Sequence, residues 1–258
     1  MDAFKVLNMT QCSSDVATAR SGTQFDAVLD DIGWPADARV VSLGQVSLQA
    51  FKARKEPALS VLKRIAKSEG GWCYVDRLGQ VAFRDRFHRP RAKGTVGAVI
   101  TDAGGGEGKP DLVTMGLDDA QVWNQIVTQI QGAAGIEAAG NAQSWNRYGK
   151  RILSQYGLLL KDQDQEPWAR WVLRCFKDPY WRAETSVLLH DPLNDACQLS
   201  RLDIDDRITL VREDSPLAGG LDMYVEGMSH RWDTERWVMG ISLSEASQWA
   251  VWILGTAG

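Results

Sequence analysis

Three strand-length runs stand near the end of the chain: Leu202-Asp-Ile-Asp-Asp-Arg-Ile-Thr-Leu-Val-Arg212, Asp222-Met-Tyr-Val-Glu-Gly-Met-Ser-His-Arg-Trp232 and Glu235-Arg-Trp-Val-Met-Gly-Ile-Ser-Leu-Ser244. They are rich in β-branched and aromatic residues, and turn-forming residues separate them: Asp214-Ser215-Pro216, Gly219-Gly220 and Asp233-Thr234. In the last two runs large apolar residues alternate: Met223, Val225, Trp237, Met239, Ile241 and Leu243. A period of two puts these side chains on one face of a sheet. The pattern predicts an antiparallel meander within a small barrel or sandwich.

The first part of the chain mixes helical and strand patterns. Residues 57–68 predict a helix, because Leu59, Leu62 and Ile65 recur at helical spacing after a proline and two glycines follow at 70–71. Lys63, Arg64 and Lys67 are expected on its outer face, as a solvated surface or a grip for phosphate. Residues 72–86 alternate around Asp76-Arg-Leu-Gly79 and predict a β-hairpin that covers one helix.

Weaker patterns predict the remaining helices and extended segments. Residues 3–8 resemble the last turns of a helix. A second helix is expected at 23–32 with Ser21 as N-cap, and a third at 167–176 with Pro167 in its first position. Extended segments are expected at 39–43, 47–52, 122–130 and 184–190.

The bulk composition excludes several functional classes. The 258 residues carry a net charge of −4, which argues against a general nucleic-acid binder but suits the wall of a channel that passes DNA. No apolar run approaches the roughly 18 residues that a membrane span needs, so no membrane partner is predicted. Cys12, Cys73, Cys175 and Cys197 are spread widely without zinc-site spacing, which indicates reduced thiols in a protein assembled in a cytoplasm.

A glycine-rich stretch at residues 101–111 interrupts the pattern. It departs from the phosphate-binding loop motif twice, because Ala103 occupies the first glycine position and Pro110 follows the lysine. A flexible linker is therefore the prediction. The expected architecture is α+β and mainly β: an α+β domain at 1–100, the linker at 101–111, and an antiparallel β-barrel domain at 112–258.

Several segments, taken in order, resemble phage minor tail proteins of the baseplate or tail-tip hub type. Besides the C-terminal runs, they are Arg20-Ser-Gly-Thr-Gln-Phe25, Val28-Leu-Asp-Asp-Ile-Gly-Trp-Pro35, Ala58-Leu-Ser-Val-Leu-Lys-Arg-Ile-Ala-Lys-Ser-Glu-Gly-Gly71, Tyr74-Val-Asp-Arg-Leu-Gly-Gln-Val-Ala-Phe-Arg-Asp-Arg86, Asp118-Asp-Ala-Gln-Val-Trp-Asn124 and Arg147-Tyr-Gly-Lys-Arg151. The resemblance implies that the strand at 122–130 joins the C-terminal barrel, with residues 133–200 as a long, partly helical insertion. It also implies an upstream barrel that this sequence does not include.

The same resemblance implies a structural virion protein rather than an enzyme. Such a hub closes the tail tube at its tip as a homotrimeric ring and acts in host attachment. Its implied partners are the distal tail protein, the tape-measure protein and a central spike or fibre, with DNA as transient cargo.

The sequence gives only weak signals for a catalytic site. Asp203, Asp205 and Asp206 form a carboxylate group, which we interpret as a turn with an Asp206–Arg207 ion pair at a strand entry. His88, His190 and His230 lie in separate contexts without metal-ligand spacing, and no nucleophile elbow is present. The sequence therefore predicts no catalytic residue, metal or cofactor.

Tryptophan is unusually frequent, with 11 residues, and it is enriched at protein interfaces. The candidate interface residues are Trp168, Trp171, Tyr224, Trp232 and Trp237. Tryptophans near carboxylates also line sugar-binding clefts, so the alternative function is a carbohydrate-binding or glycan-degrading protein at the host surface.

Overall fold

The computed structural model describes residues 3–91, 96–102, 104–189, 195–213, 219–232 and 236–249. Its helices are α1 (Ala3–Met9), α2 (Ser21–Asp31), α3 (Ala58–Glu69), α4 (His88–Arg91), α5 (Ala142–Tyr148), α6 (Asp162–Phe176) and α7 (Ala196–Leu199). Its first strands are β1 (Ala19–Arg20), β2 (Arg39–Val41), β3 (Ser47–Leu48), β4 (Trp72–Val75), β5 (Val81–Arg84), β6 (Ala98–Thr101) and β7 (Pro110–Asp118). The others are β8 (Gln125–Ile130), β9 (Ile136–Gly140), β10 (Ile152–Leu158), β11 (Tyr180–Leu188), β12 (Arg207–Val211), β13 (Leu221–Trp232) and β14 (Trp237–Glu245).

The predicted class is confirmed: the chain is α+β and mainly β, with 38% strand and 29% helix. It divides into two compact units, one from Met1–His88 with Val122–Asp178 and one from Arg89–Gln121 with Pro179–Gly258. This division differs from the predicted boundaries at residues 101 and 111, because each unit is built from two separate stretches of chain. His190 and the predicted turns at 214–216 and 233–234 lie outside the described residues.

The first unit is organised on α2, α3 and the three-stranded sheet β2-β5-β4. Phe25 of α2 stacks on Phe83 of β5 with ring centroids 4.8 Å apart. The predicted helix at 57–68 is confirmed as α3, which ends at Gly70 in the left-handed conformation (φ 74°). A Cβ at Gly70 would also lie 2.8 Å from the ring of Trp171, so both backbone and packing require glycine.

The predicted hairpin at 72–86 is confirmed as β4 and β5, which pair antiparallel. Its turn is held by Asp76, whose carboxylate accepts backbone N–H bonds from Leu78 (2.9 Å) and Gln80 (2.8 Å). Gly79 takes a positive φ of 80° at the end of this turn.

Strand β8 does not join the C-terminal barrel as the resemblance implied. It is the centre of a separate sheet, β10-β8-β9, in the first unit. The fully buried Asn124 stands just before β8: its amide donates to Gly149 O (2.7 Å) and Ser144 Oγ (3.1 Å), and its oxygen accepts from Arg151 N (2.7 Å). These bonds fix the start of β8 to the segment that leads into β10.

Helix α6 covers this second sheet and begins earlier than predicted, at Asp162 instead of Pro167. Asp162 and Asp164 lie in its first turn, where a carboxylate is favoured by the helix dipole. Pro167 lies in the second turn, where it removes one backbone hydrogen bond. The buried Gln165 accepts a bond from Thr128 of β8 (3.1 Å), which fixes the helix on the sheet.

The second unit is a six-stranded sheet in the order β6-β12-β13-β14-β11-β7, curled into a half-barrel. The predicted C-terminal meander is confirmed, since β12, β13 and β14 pair antiparallel in succession. The predicted alternation is confirmed for five of its six side chains, which are at most 2% exposed: Met223, Val225, Met239, Ile241 and Leu243. The sixth, Trp237, is half-buried against the same core.

The described residues of the glycine-rich stretch, 101–102 and 104–111, run from the end of β6 to the start of β7, the two edge strands of this sheet. Thr101 N donates to Gly108 O (2.8 Å), and Gly108 N donates to Val99 O (3.2 Å). A Cβ on Gly106 would lie 2.6 Å from Val99 O, so glycine permits this close approach. The stretch therefore serves as a tight connection within one sheet.

The four cysteines are all free thiols, and their environments differ. Cys12 and Cys175 are buried, and burial raises the pKa of Cys73 to about 12. Cys197 alone is exposed. Because thiolates are the reactive species, we expect one fast-reacting thiol per native chain with a disulfide reagent at pH 8. Cys197→Ser should remove that fast phase, and fast reaction of two or more thiols in the native protein would contradict this packing.

Candidate interaction surface

The outer end of the β13–β14 hairpin carries an aromatic cluster, defined here as His230, Trp232 and Trp237. His230 and Trp232 are exposed, and Trp237 is half-buried against the core of the second unit. Trp232 lies directly opposite Trp237 in the strand register, with ring centroids 5.0 Å apart. The indole N–H of Trp237 donates to Nδ1 of His230 at 3.3 Å. Trp232 is 72% exposed, the largest exposed fraction among the aromatic side chains in the described ranges. The cluster therefore offers aromatic rings, tilted by 41° between Trp232 and Trp237, with one polar edge.

The cluster is exposed because β13 is longer than its neighbour. Strand β12 pairs only with Leu221–Tyr224, at the beginning of β13. Beyond that point, β14 is the only strand paired with β13 in the described part of the chain. The last four residues of β13, from Ser229 to Trp232, are consequently exposed.

An ion-pair cluster holds the base of this hairpin. Arg89 is 1% exposed, and its guanidinium donates to Asp205 (2.6 Å) and to both carboxylate oxygens of Glu226 (2.6 and 3.1 Å). The rings of Tyr224 and Trp249 lie 4.8 and 5.0 Å from the guanidinium carbon. Tyr224 also donates its hydroxyl proton to Arg89 O (2.9 Å). Every face of this buried cation is therefore matched by charge or by aromatic rings.

A β-bulge aims Glu226 at the cluster. The register between β13 and β14 shifts between Val225 and Gly227, so Glu226 is the extra residue. A bulge turns a side chain out of the alternation of its strand, which here points the carboxylate at Arg89 and at the hydroxyl of Ser244 (2.5 Å). Burial acts to raise the pKa of Glu226, but the hydrogen bonds and charge of Arg89 outweigh it and hold the pKa below its ordinary value.

This shift predicts a pH dependence of stability. A carboxylate whose pKa is lower in the folded state contributes stability that is complete above its unfolded pKa of about 4.5 and is lost as pH falls through the folded value. We expect the free energy of unfolding to fall below pH 4.5, and this fall to be smaller in Glu226→Gln. Urea titrations from pH 3 to pH 7 test this. Equal pH dependence in both proteins would contradict the assigned role of Glu226.

The carboxylate group of residues 203–206 forms the predicted turn, directly before β12. Asp206 accepts a bond from Asp203 N (2.8 Å), and Asp205 takes a positive φ of 79° that directs its side chain to Arg89. The ion pair predicted between Asp206 and Arg207 is not the one that forms across the strands, because Arg207 pairs with Asp222 of β13.

The five predicted interface residues fall in different environments. Trp168 is 3% exposed in the core of the first unit, and Tyr224 is 4% exposed against Arg89. Trp171 is half-buried beside the guanidinium of Arg86 (5.9 Å). Only Trp232 and Trp237 come together on one surface, so an interface role remains a prediction centred on those two.

Sequence reasoning missed two further parts of the surface. His230 joins the aromatic cluster, which its spacing of two residues from Trp232 on a strand would have indicated. Strand β7 is an edge strand, and it exposes Leu112 (63%) and Leu117 (53%). Exposed apolar residues on a sheet edge are typical of sites where another chain pairs.

The described residues carry neither a metal-binding cluster nor a membrane-spanning helix. No group of three or more histidine, cysteine or acidic side chains gathers there in a way that would hold a metal ion. Among the same residues, none of the helices combines the length and apolar character that crossing a bilayer requires.

Comparison with solved structures identifies the architecture. The 43 kDa tail protein of prophage MuSo2 from Shewanella oneidensis superposes with a TM-score of 0.63 at 14% identity, over 96% of this chain and 73% of that one. The tail protein from Neisseria meningitidis MC58 gives 0.63 at 11% identity, over 95% and 72%. The chain has the fold of phage tail proteins.

A third structure carries this tail-protein fold at lower similarity. It is the Escherichia coli c3393 protein, a component of the type VI secretion system with structural similarity to the T4 bacteriophage tail proteins gp27 and gp5. Its TM-score is 0.50 at 7% identity, over 94% of this chain and 53% of that one. No family model and no curated protein matches the sequence.

Proposed function

We propose that this chain is a structural protein of a phage tail, located at the tail tip as part of the baseplate hub. The observation that carries the proposal is the tail-protein fold, which covers nearly the whole chain in two solved tail proteins. The described side chains add binding surface and structural ion pairs, and we assign them no catalytic role.

The proposed hub is a homotrimeric ring that closes the tail tube and links it to a central spike or fibre. The similarity of the c3393 protein to the T4 tail proteins gp27 and gp5 supports a place in a tail assembly. The curled sheet of the second unit suits a tube wall, because a half-barrel with two edge strands can continue into neighbouring subunits. The distal tail protein and the tape-measure protein are the proposed neighbours, and DNA passes as transient cargo.

The aromatic cluster is the proposed contact between subunits. Tryptophan truncations at the centre of an interface commonly cost about 2 kcal/mol or more, or about 30-fold in Kd. Trp232 is mostly exposed, so its removal should change assembly with little effect on folding. The base of the hairpin is fixed by Arg89, which keeps the cluster in place before the partner arrives.

Light scattering over a range of concentrations tests this contact. We expect the chain to approach three times its mass of 28.6 kDa, and Trp232→Ala to shift that association to a concentration higher by about 30-fold or more. Leu78→Ala is the matched control, because Leu78 is 70% exposed on the β4–β5 turn of the other unit. Association that both substitutions leave unchanged would remove the aromatic cluster from the interface.

Glycan binding at the host surface is the second candidate, and the exposure of Trp232 beside Trp237 favours it. Flat aromatic surfaces stack on sugar rings as well as on protein. Host-surface polysaccharide, titrated against the native chain and Trp232→Ala, separates the two functions. Saturable binding that the substitution abolishes, with no self-association, would favour the glycan function over the hub.

A further inference from the structure

A basic cleft lies in the first unit, between the outer face of α3 and the end of β10. Its volume is about 430 Å³, and it is lined by Lys63, Arg64, Lys67, Gln131, Tyr156 and Gly157. It is separate from the aromatic cluster, which belongs to the second unit. The cleft is positive although the whole chain has a net charge of −4.

The positive charge of the cleft comes from the two lysines. Arg64 is neutralised by Glu56 at 2.8 Å, and its guanidinium covers the ring of Phe51 at 4.7 Å. Lys63 and Lys67 are exposed and, within the described part of the chain, neither lies within salt-bridge distance of a carboxylate. Like charges four residues apart on a helix repel each other, so this pair costs stability unless an anion joins it.

The surroundings of Lys67 also favour the binding of an anion. Its ammonium donates to the backbone carbonyl of Tyr156 at 3.4 Å. The surrounding protein displaces part of the water around this ammonium, and the desolvation lowers the pKa of Lys67. A carboxylate in the cleft would replace the lost solvation and stabilise the charged form.

Strand β10 forms the other wall and is an edge strand of its sheet. Its register with β8 shifts between Gln155 and Leu158, which leaves Tyr156 and Gly157 outside the ladder. Tyr156 is 59% exposed and Ile152 is 48% exposed on the same strand. An extended peptide laid along this wall would meet an aromatic face, an apolar side chain and a strand edge.

The spacing of the charges matches such a peptide. Residues four apart in a helix lie about 6 Å apart along its axis. Alternate side chains of an extended strand lie about 6.8 Å apart on one face. Two carboxylates at alternate positions can therefore face Lys63 and Lys67 together. A nucleic acid needs a longer row of basic residues than two lysines, and the charge of Arg64 is already paired with Glu56.

We propose that the basic cleft of α3 and β10 binds an extended acidic segment of a partner protein, with alternate carboxylates on Lys63 and Lys67. This site is additional to the aromatic cluster and stands on the charges of the first unit, whether or not the chain forms a hub. In a tail it would give the first unit its own contact with a neighbouring protein.

A capped octapeptide of alternating glutamate and serine is the probe for this cleft, measured by fluorescence anisotropy on the full chain at low salt. We expect saturable binding, and a loss of about tenfold or more in affinity in Lys63→Glu/Lys67→Glu, since two ion pairs become repulsive. Lys5→Glu/Lys52→Glu is the matched control, because both lysines are exposed in the same unit and the change in net charge is identical. Thermal melting checks that all variants fold.

The outcomes distinguish binding of the peptide in the cleft from general attraction between the peptide and lysines elsewhere on the protein. A second octapeptide, with glutamine in place of every glutamate, tests the role of charge. An affinity within about twofold of native in the control pair, together with no binding of this uncharged peptide, supports the cleft. Equal losses in both charge-reversed pairs would overturn it, as would no binding of the acidic peptide to the native chain. Tighter binding of an octanucleotide than of the peptide would overturn the choice of partner.

Discussion

Replacing Arg89 with methionine is expected to lower the free energy of unfolding of the second unit by about 3 kcal/mol. The substitution keeps much of the volume but leaves Asp205 and Glu226 without their shared cation, and Asp205 is only 4% exposed. A buried carboxylate without a counter-ion either stays charged, which destabilises the fold by desolvation, or takes up a proton. Hydrogen exchange should therefore accelerate in β12 and β13, which carry the cluster.

Arg170→Ala is the control for this prediction. Arg170 pairs with Glu166 one helical turn away, and both side chains are more than half exposed (72% and 59%). Exposed pairs of this kind contribute about 0.5 kcal/mol or less. Urea denaturation at pH 7 compares the two variants. An Arg89→Met chain that is no less stable than Arg170→Ala would refute the role given to the cluster.

Replacing Glu69 with glutamine is expected to destabilise the first unit by a similar amount, about 3 kcal/mol. Glu69 is fully buried and accepts bonds from Ser21 Oγ (2.6 Å), Gln45 N (3.1 Å) and Arg86 Nε (3.1 Å). Glutamine keeps the shape but removes the charge, which leaves the buried guanidinium of Arg86 uncompensated. Faster exchange is expected in α2 and α3.

A double-mutant cycle isolates the Glu69 pair. If the lost stability comes from the uncompensated charge of Arg86, the destabilisation of Glu69→Gln/Arg86→Met should be smaller than the sum of the two single destabilisations. We expect a difference of about 1 kcal/mol or more. Additive losses would show instead that Glu69 acts through Ser21 and the backbone amides alone.

The elements that the sequence predicted well are those with local, periodic signals. The meander of β12–β14 follows from a period of two, and α3 follows from apolar spacing between Pro57 and Gly70. The hairpin of β4 and β5 follows from the turn at Asp76 and Gly79. Each depends on residues that lie close together in the chain, so pattern and structure coincide.

The elements that it missed depend on distant partners. The partners of β8 are set by Asn124, whose three bonds reach 20 to 27 residues further along. Arg89 meets Glu226 across 137 residues, and nothing in either local segment indicates the pairing. One signal was available: Gly227 inside a strand pattern is typical of a bulge, and it would have marked Glu226 as a displaced side chain.

The sequence pattern likewise did not predict which tryptophans are buried. Trp168 and Trp232 both stand in sequences with apolar periodicity, yet one is 3% and the other 72% exposed. Trp168 lies on the face of α6 that packs into the core of the first unit, whereas Trp232 lies in the part of β13 that runs past β12. Strand lengths of neighbours are a tertiary property, so the position of the candidate interface required the structure.

The most direct test of the tail-tip assignment is the position of this chain in the assembled particle. A copy carrying a small epitope tag, supplied to a phage that encodes this chain, would be detected with gold-labelled antibody by electron microscopy. The account predicts gold at the distal end of the tail and nowhere else on the particle. Particles without gold, when the tagged chain is present in the lysate and the tail tip is accessible to a control antibody, would contradict it. So would gold on the capsid.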